Sequence, residues 1–123
     1  MATIEAIAAN FTRYYYHTFD TARANLASTY RDDSKLSFEG QCFEGAQNIT
    51  EKLMSLSFQK VQHHCDTVDV QPLDPTNAKI LIVVVGKLLI DDNENPLNFS
   101  QVFQLVAQDN TFYISNDVFR FIY

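Results

Sequence analysis

Tryptophan is absent from the 123-residue chain, and glycine and proline occur three times each. So few backbone breakers exclude a disordered or low-complexity chain, and no stretch is long or polar enough to divide two domains. A single domain over residues 1–123 is expected. Cations are scarce as well: nine Lys and Arg stand against fifteen Asp and Glu, a formal net charge of −6. The nine nowhere cluster, which argues against nucleic acid and leaves a basic protein surface as the fitting partner. Long apolar runs are missing. The longest, residues 80–85, is too short to span a bilayer, and Glu5, Asn10 and Arg13 deny the N-terminus a signal peptide's apolar centre. A soluble intracellular chain with no membrane insertion is expected. The two cysteines, Cys42 and Cys65, leave a single bridge open, but free buried thiols in a reducing compartment are the reading adopted.

What is present is apolar and aromatic: 46% hydrophobic residues, with ten Phe and six Tyr, enough for a core. Ile4, Ile7, Ala8, Phe11, Tyr14, Tyr15 and Thr18 share one helical face. Asp20 or Thr21 is placed to cap a second short helix with Leu26 and Tyr30 inside. Residues 35–38 and 41–43 read as two short strands around Glu39-Gly40. Gly45 opens a third helix. From Phe58 onward the period falls to two. Val61 and Cys65 hold one phase and Val68 and Val70 the other, which predicts a bulge that bends the strand. Residues 80–85 are apolar on both phases, as in a strand covered on both sides. Residues 91–96 turn the chain. Two last strands, 97–106 and 111–123, carry a second phase change near Asn116.

Helices first and a bent sheet after them make an α+β fold: three N-terminal helices on a strongly bent mixed or antiparallel sheet. Such a sheet wrapped on a long helix forms a cone whose open mouth can hold a small molecule or a protein side chain. Val68, Val70, Leu81, Val83, Val85, Val102 and Val106 exceed what three helices cover. On the outer face they would form an apolar surface that a symmetric sheet-to-sheet dimer buries.

Chemical motifs are few. In His63-His64-Cys65 strand alternation leaves only His63 and Cys65 on one face with no third ligand, so no metal is expected. His63 reads as a polar residue at the cone's mouth. No nucleophile elbow or phosphate loop is present, and no cofactor is expected. Asp91-Asp92-Asn93-Glu94 reads equally as a solvated hairpin tip or as a docking site for a lysine. Phe38 reads as core and Glu39 as surface.

These residues resemble the nuclear transport factor 2 family. The likeness begins with Tyr14-Tyr15, Phe19-Asp20, Leu26, Tyr30 and residues 36–40, and continues through 51–53, 55–56, 58–63 and 69–72. It ends with 84–86, 99–103, 116–117 and 119–120, covering nearly the whole chain in order. The resemblance implies a cone-shaped roll, cystatin-like or ketosteroid-isomerase-like. It implies a homodimer that carries the GDP form of the Ran GTPase into the nucleus and binds FxFG-repeat nucleoporins. The location implied is cytoplasm and nucleus, concentrated at nuclear pores. Carried over by position, the carboxylates facing Ran lysines would be Glu39, Asp91 and Asp92 or Glu94, with His63 at the rim. The apolar lining for a Ran phenylalanine would be Phe38, Leu56, Phe58, Val61, Leu88, Ile90 and Phe119. The nucleoporin site would include Ile4, where animal members have Trp, with Ile7 and Asp20 nearby.

The alternative is an enzyme of the same cone, an isomerase or dehydratase moving protons in the cavity. It needs a carboxylate or histidine deep in an apolar cavity with a shifted pKa. The acidic residues here read as lying in turns and at strand ends, which suits a rim. The sequence therefore favours a carrier with no catalytic residue.

Overall fold

The computed structural model describes residues 3–57, 60–91 and 95–123. The first helix, α1 (Ile4–Thr21), starts where the Thr3 hydroxyl accepts the Ala6 N–H at 3.1 Å, an N-cap that satisfies one orphan donor. Ala8, Thr12, Tyr15, Tyr16 and Phe19 form its buried face. The helix runs through both proposed caps. A 3-10 segment (Arg23–Thr29) follows with no side-chain cap, and Tyr30 belongs to the next strand. Asp20 is engaged elsewhere, and Thr21 bonds back to the His17 carbonyl. The second α-helix, α2 (Ala46–Met54), follows Gly45, whose N–H donates to the Ser34 carbonyl at 2.8 Å. Ile49 and Leu53, one turn apart, are its buried anchors.

Six strands follow the order β2-β1-β6-β5-β4-β3. They are β1 (Tyr30–Phe38), β2 (Gln41–Glu44), β3 (Val61–Pro72), β4 (Lys79–Ile90), β5 (Leu97–Gln108) and β6 (Thr111–Ile122). β1 and β6 run parallel and every other neighbouring pair antiparallel, so the sheet is mixed. Both bulges are present. On β3 the register with β4 slips between Cys65 and Thr67, and on β6 it slips at Ser115, which β5 leaves unopposed.

The first bulge corrects one expectation. Directly opposed residues share a face, and Val68 and Val70 lie opposite Val84 and Ile82, both fully buried. Val68 and Val70 therefore face the helix side, and the bulge keeps Val61, Cys65, Val68 and Val70 on one surface. The outer face is carried by Leu81, Val83, Val85, Val102 and Val106, with Val118. Val83, Val102 and Val118 form a row across three strands. The cysteines are free, on strands at opposite edges of the sheet, but Cys42 is exposed rather than buried. Burial pushes the half-buried Cys65 thiol up to about 11.

Candidate functional site

Because β1 and β6 are parallel, one end of the sheet collects the C-terminal ends of β1, β4 and β6. The N-terminal ends of β3 and β5 join them there. Phe38 and Phe119 stack there with centroids 4.8 Å apart and planes within 5°. Phe119 stacks in turn on Phe99 at 5.6 Å. Phe121 meets both Phe38 and Phe119 edge-on. The Lys52 ammonium lies 5.5 Å from the Phe38 centroid. Val61 and Leu88 are buried in the core, and Leu56 and Ile90 pack against that core partly buried. Of the residues singled out in the sequence, Phe58, Asp92 and Glu94 lie outside the described residues.

Glu39 and Gly40 form the two-residue turn between β1 and β2, with φ of 52° and 85°. Two left-handed positions match a type I′ hairpin, which glycine and asparagine favour and glutamate does not. Glu39 is held in place: its N–H donates to the Phe119 carbonyl at 3.1 Å, and its Oε1 accepts the Phe121 N–H. Asp91, also left-handed at φ 49°, closes the other side of the mouth. Its Oδ1 accepts the Lys60 N–H at 2.8 Å, and its own N–H donates to the Lys60 carbonyl. β6 and β5 separate the strands that carry these carboxylates. Three strand spacings put them roughly 14 Å apart across the sheet. Acidic groups thus flank an apolar floor.

His63 lies deeper than a rim. Its side chain is 3% exposed and packs against Tyr16 at 4.6 Å, Phe19 at 4.9 Å and Phe99 at 5.5 Å. Asp20 holds it twice: one carboxylate oxygen accepts the His63 main-chain N–H at 2.9 Å, and the other lies 2.6 Å from Nδ1. Ile4 and Ile7 are half-buried at the opposite end of α1. Sixteen helical residues separate Ile4 from Asp20, roughly 24 Å. One chain therefore does not bring the three together.

Behind Phe38 and Phe119, with Leu36, Leu53, Leu88 and His63 in its wall, the cavity measures about 10 Å³. That is room for about one water. Its floor corrects a second expectation, because an acidic residue does lie inside. Asp117 is fully buried and accepts hydrogen bonds from the Tyr30 hydroxyl at 2.8 Å, the Tyr15 hydroxyl at 3.3 Å and the Gln101 amide at 2.8 Å. Burial pushes its carboxyl up to about 6, although the three donors pull the other way. Tyr16 completes the network by donating to Gln101 at 2.7 Å. Sequence reasoning placed Tyr15 and Tyr30 inside but missed Asp117 and Gln101 as their partners. The available signal was phase: Asp117 alternates with Phe119 and Phe121, so it shares their inward face.

The alternative enzyme thus has a buried carboxylate with a raised pKa, and among the described residues the cavity beside it has room for about one water. A bent mixed sheet around one long helix, with a packed aromatic mouth between carboxylates, belongs to the cone-shaped α+β rolls. Within that class the family is defined by similarity. The profile of the Nuclear transport factor 2 (NTF2) domain matches residues 7–121. Nuclear transport factor 2 of Saccharomyces cerevisiae is 50% identical over 117 residues, 95% of this chain and 93% of that protein. Its Schizosaccharomyces pombe counterpart is 46% identical over 123 residues, covering 100% and 99% of the two chains. The structure of nuclear transport factor 2 from Cryptosporidium parvum superposes with a TM-score of 0.89 at 41% identity, over 96% of this chain and 94% of that one. The chain belongs to the nuclear transport factor 2 family, with a role in nuclear transport, and is a carrier rather than an enzyme.

Proposed function

We propose that this protein carries the GDP form of Ran into the nucleus, working between cytoplasm and nucleus and concentrating at nuclear pores. Family membership supports nuclear transport. The observation that carries the finer reading is Glu39, a glutamate kept in a left-handed turn at the edge of the Phe38–Phe119 stack. Strained non-glycine positions cost about 1–3 kcal/mol and cluster at functional sites. With Oε1 held by Phe121, the carboxylate is presented in a fixed direction to a cation on the partner. Asp91 faces the mouth from the other side, and Asp92 or Glu94 would add to it. The floor accepts an aromatic side chain over Phe38, Leu56 and Ile90, with Val61, Leu88 and Phe119 shaping it. The ring sits at the mouth, outside the small cavity behind Phe38 and Phe119. An apolar anchor between charges supplies affinity, and the charges supply orientation and on-rate. Discrimination of GDP from GTP resides in Ran's switch segments.

The carrier acts as a homodimer through the outer apolar face. FxFG nucleoporins bind at the N-terminal end of α1, where Ile4 and Ile7 offer aliphatic surface in place of an aromatic ring. Import of fluorescent Ran into nuclei of permeabilised cells, supplied with this protein as the sole carrier, tests the reading. Accumulation of Ran loaded with GDP is expected. No accumulation above the unsupplemented control would refute it.

A further inference from the structure

We propose that Lys52 is a specificity residue of the mouth, whose ammonium pairs with a carboxylate that the partner carries beside its anchoring ring. The proposal rests on the Ran-carrier reading for the partner and on geometry for the position. Lys52 stands half-buried in the last turn of α2, where the helix dipole favours a cation. Its ammonium lies 5.5 Å from the centroids of both Phe38 and Phe43, within the range of a cation–π contact. The Gln41 side-chain oxygen accepts one of its hydrogens at 3.2 Å. Gln41 pairs with Phe38 across the β1–β2 hairpin, and Glu39 lies in the turn between them. Three contacts thus hold the ammonium at the Phe38 end of the column of stacked rings, Phe38, Phe119 and Phe99, on Glu39's side of the mouth.

None of those contacts carries a negative charge. An ammonium has three hydrogens to donate, and among the described residues no carboxylate comes within ion-pair distance of this one. The nearby acids are engaged elsewhere: Glu39 Oε1 accepts the Phe121 N–H, and Glu51 Oε1 accepts the Gln47 amide at 3.4 Å. Lys52 is a fixed cation beside the mouth with capacity left for an acceptor from outside. Its consequence is selectivity. Glu39 and Asp91 alone would admit any basic surface with an exposed ring. A cation on the same rim repels such a surface and favours one with an acid next to the ring, and specificity is a difference of affinities in which repulsion counts as much as attraction. The segment that fits is mixed in charge, with cations toward Glu39 and Asp91 and one carboxylate toward Lys52.

Lys52→Met keeps an unbranched apolar stem beside Phe38 and Phe43 and removes the charge, so it should melt at the wild-type temperature. In calorimetric titrations it should bind Ran-GDP about fivefold more weakly than the wild type, and the gap should narrow as salt is raised. Lys52→Gln, a second neutral replacement, should show the same loss, and Lys52→Arg, which keeps a cation, should recover most of it. Unchanged or tighter binding by the two neutral variants overturns the proposal, because the partner then meets Lys52 with solvent or a cation. So does a loss that Lys52→Arg shares in full, or that salt leaves unaltered, since either marks packing rather than charge. A wild type that does not bind Ran-GDP overturns the carrier reading and the proposal together, whereas a wild type that binds and is matched by Lys52→Met overturns the proposal alone.

Discussion

Asp117 and Glu39 sit in surroundings unlike an exposed carboxylate's, and each has a measurable consequence. The raised pKa of Asp117, about 6, means the native state holds its proton where the unfolded chain has released it. Stability from this group is full below the unfolded value, near 4, and is lost as pH rises through 6. Two units correspond to roughly 3 kcal/mol over that window. Asp117→Asn should flatten the fall in unfolding free energy between pH 4 and pH 6, and an unchanged slope would assign that fall to other groups. At Glu39 the charge and the hydrogen bond are separable. Glu39→Gln keeps an oxygen for the Phe121 N–H and removes only the charge, so it should weaken Ran-GDP binding about tenfold with an unaltered melting curve. Glu39→Lys should abolish binding in the same titration. Glu39 was legible from resemblance alone, since a turn glutamate is ordinarily solvated. The Asp117 network was hidden because its donors, Tyr15, Tyr30 and Gln101, come together only in the fold.

Among the elements, the bulges were the most legible feature, because a phase change in an apolar pattern has few other causes. Their effect on facing was misjudged. An inserted residue restores the face, so Val68 and Val70 turn inward with Val61 rather than outward. The parallel pairing of β1 with β6 had no local signature, since it joins segments about 80 residues apart. The 3-10 segment was read as a helix for the same reason that short turns often are: its few apolar residues fit either period. Gly86 fixes how the β3 bulge packs. A Cβ there would lie 2.2 Å from the His64 carbonyl oxygen and 3.0 Å from the Phe99 ring. Both neighbours are constrained, one by backbone pairing and one by the aromatic column. Gly86→Ala should therefore lower stability by about 3 kcal/mol in a denaturant titration. A loss below 1 kcal/mol would mean that the bulge yields freely.

At the scale of the whole molecule, the outer face of the sheet is apolar. Val85 is 39% and Val118 43% exposed in the single chain, and with Val83 and Val102 they form a continuous apolar patch. A second copy placed sheet to sheet would bury it. Sedimentation should give twice the 14.1 kDa chain mass, and Val102→Glu should give the chain mass itself; a monomeric wild type would exclude the dimer. No described helix is long and apolar enough to cross a membrane. The mouth, with a packed aromatic floor between Glu39 and Asp91, gives the molecule one face suited to a cationic partner with an exposed ring. Calorimetric titration with Ran-GDP, and separately with Ran bound to a non-hydrolysable GTP analogue, tests that claim most directly. Binding of the GDP form alone, near one Ran per chain, is the predicted result; equal binding of both forms, or of neither, would contradict it.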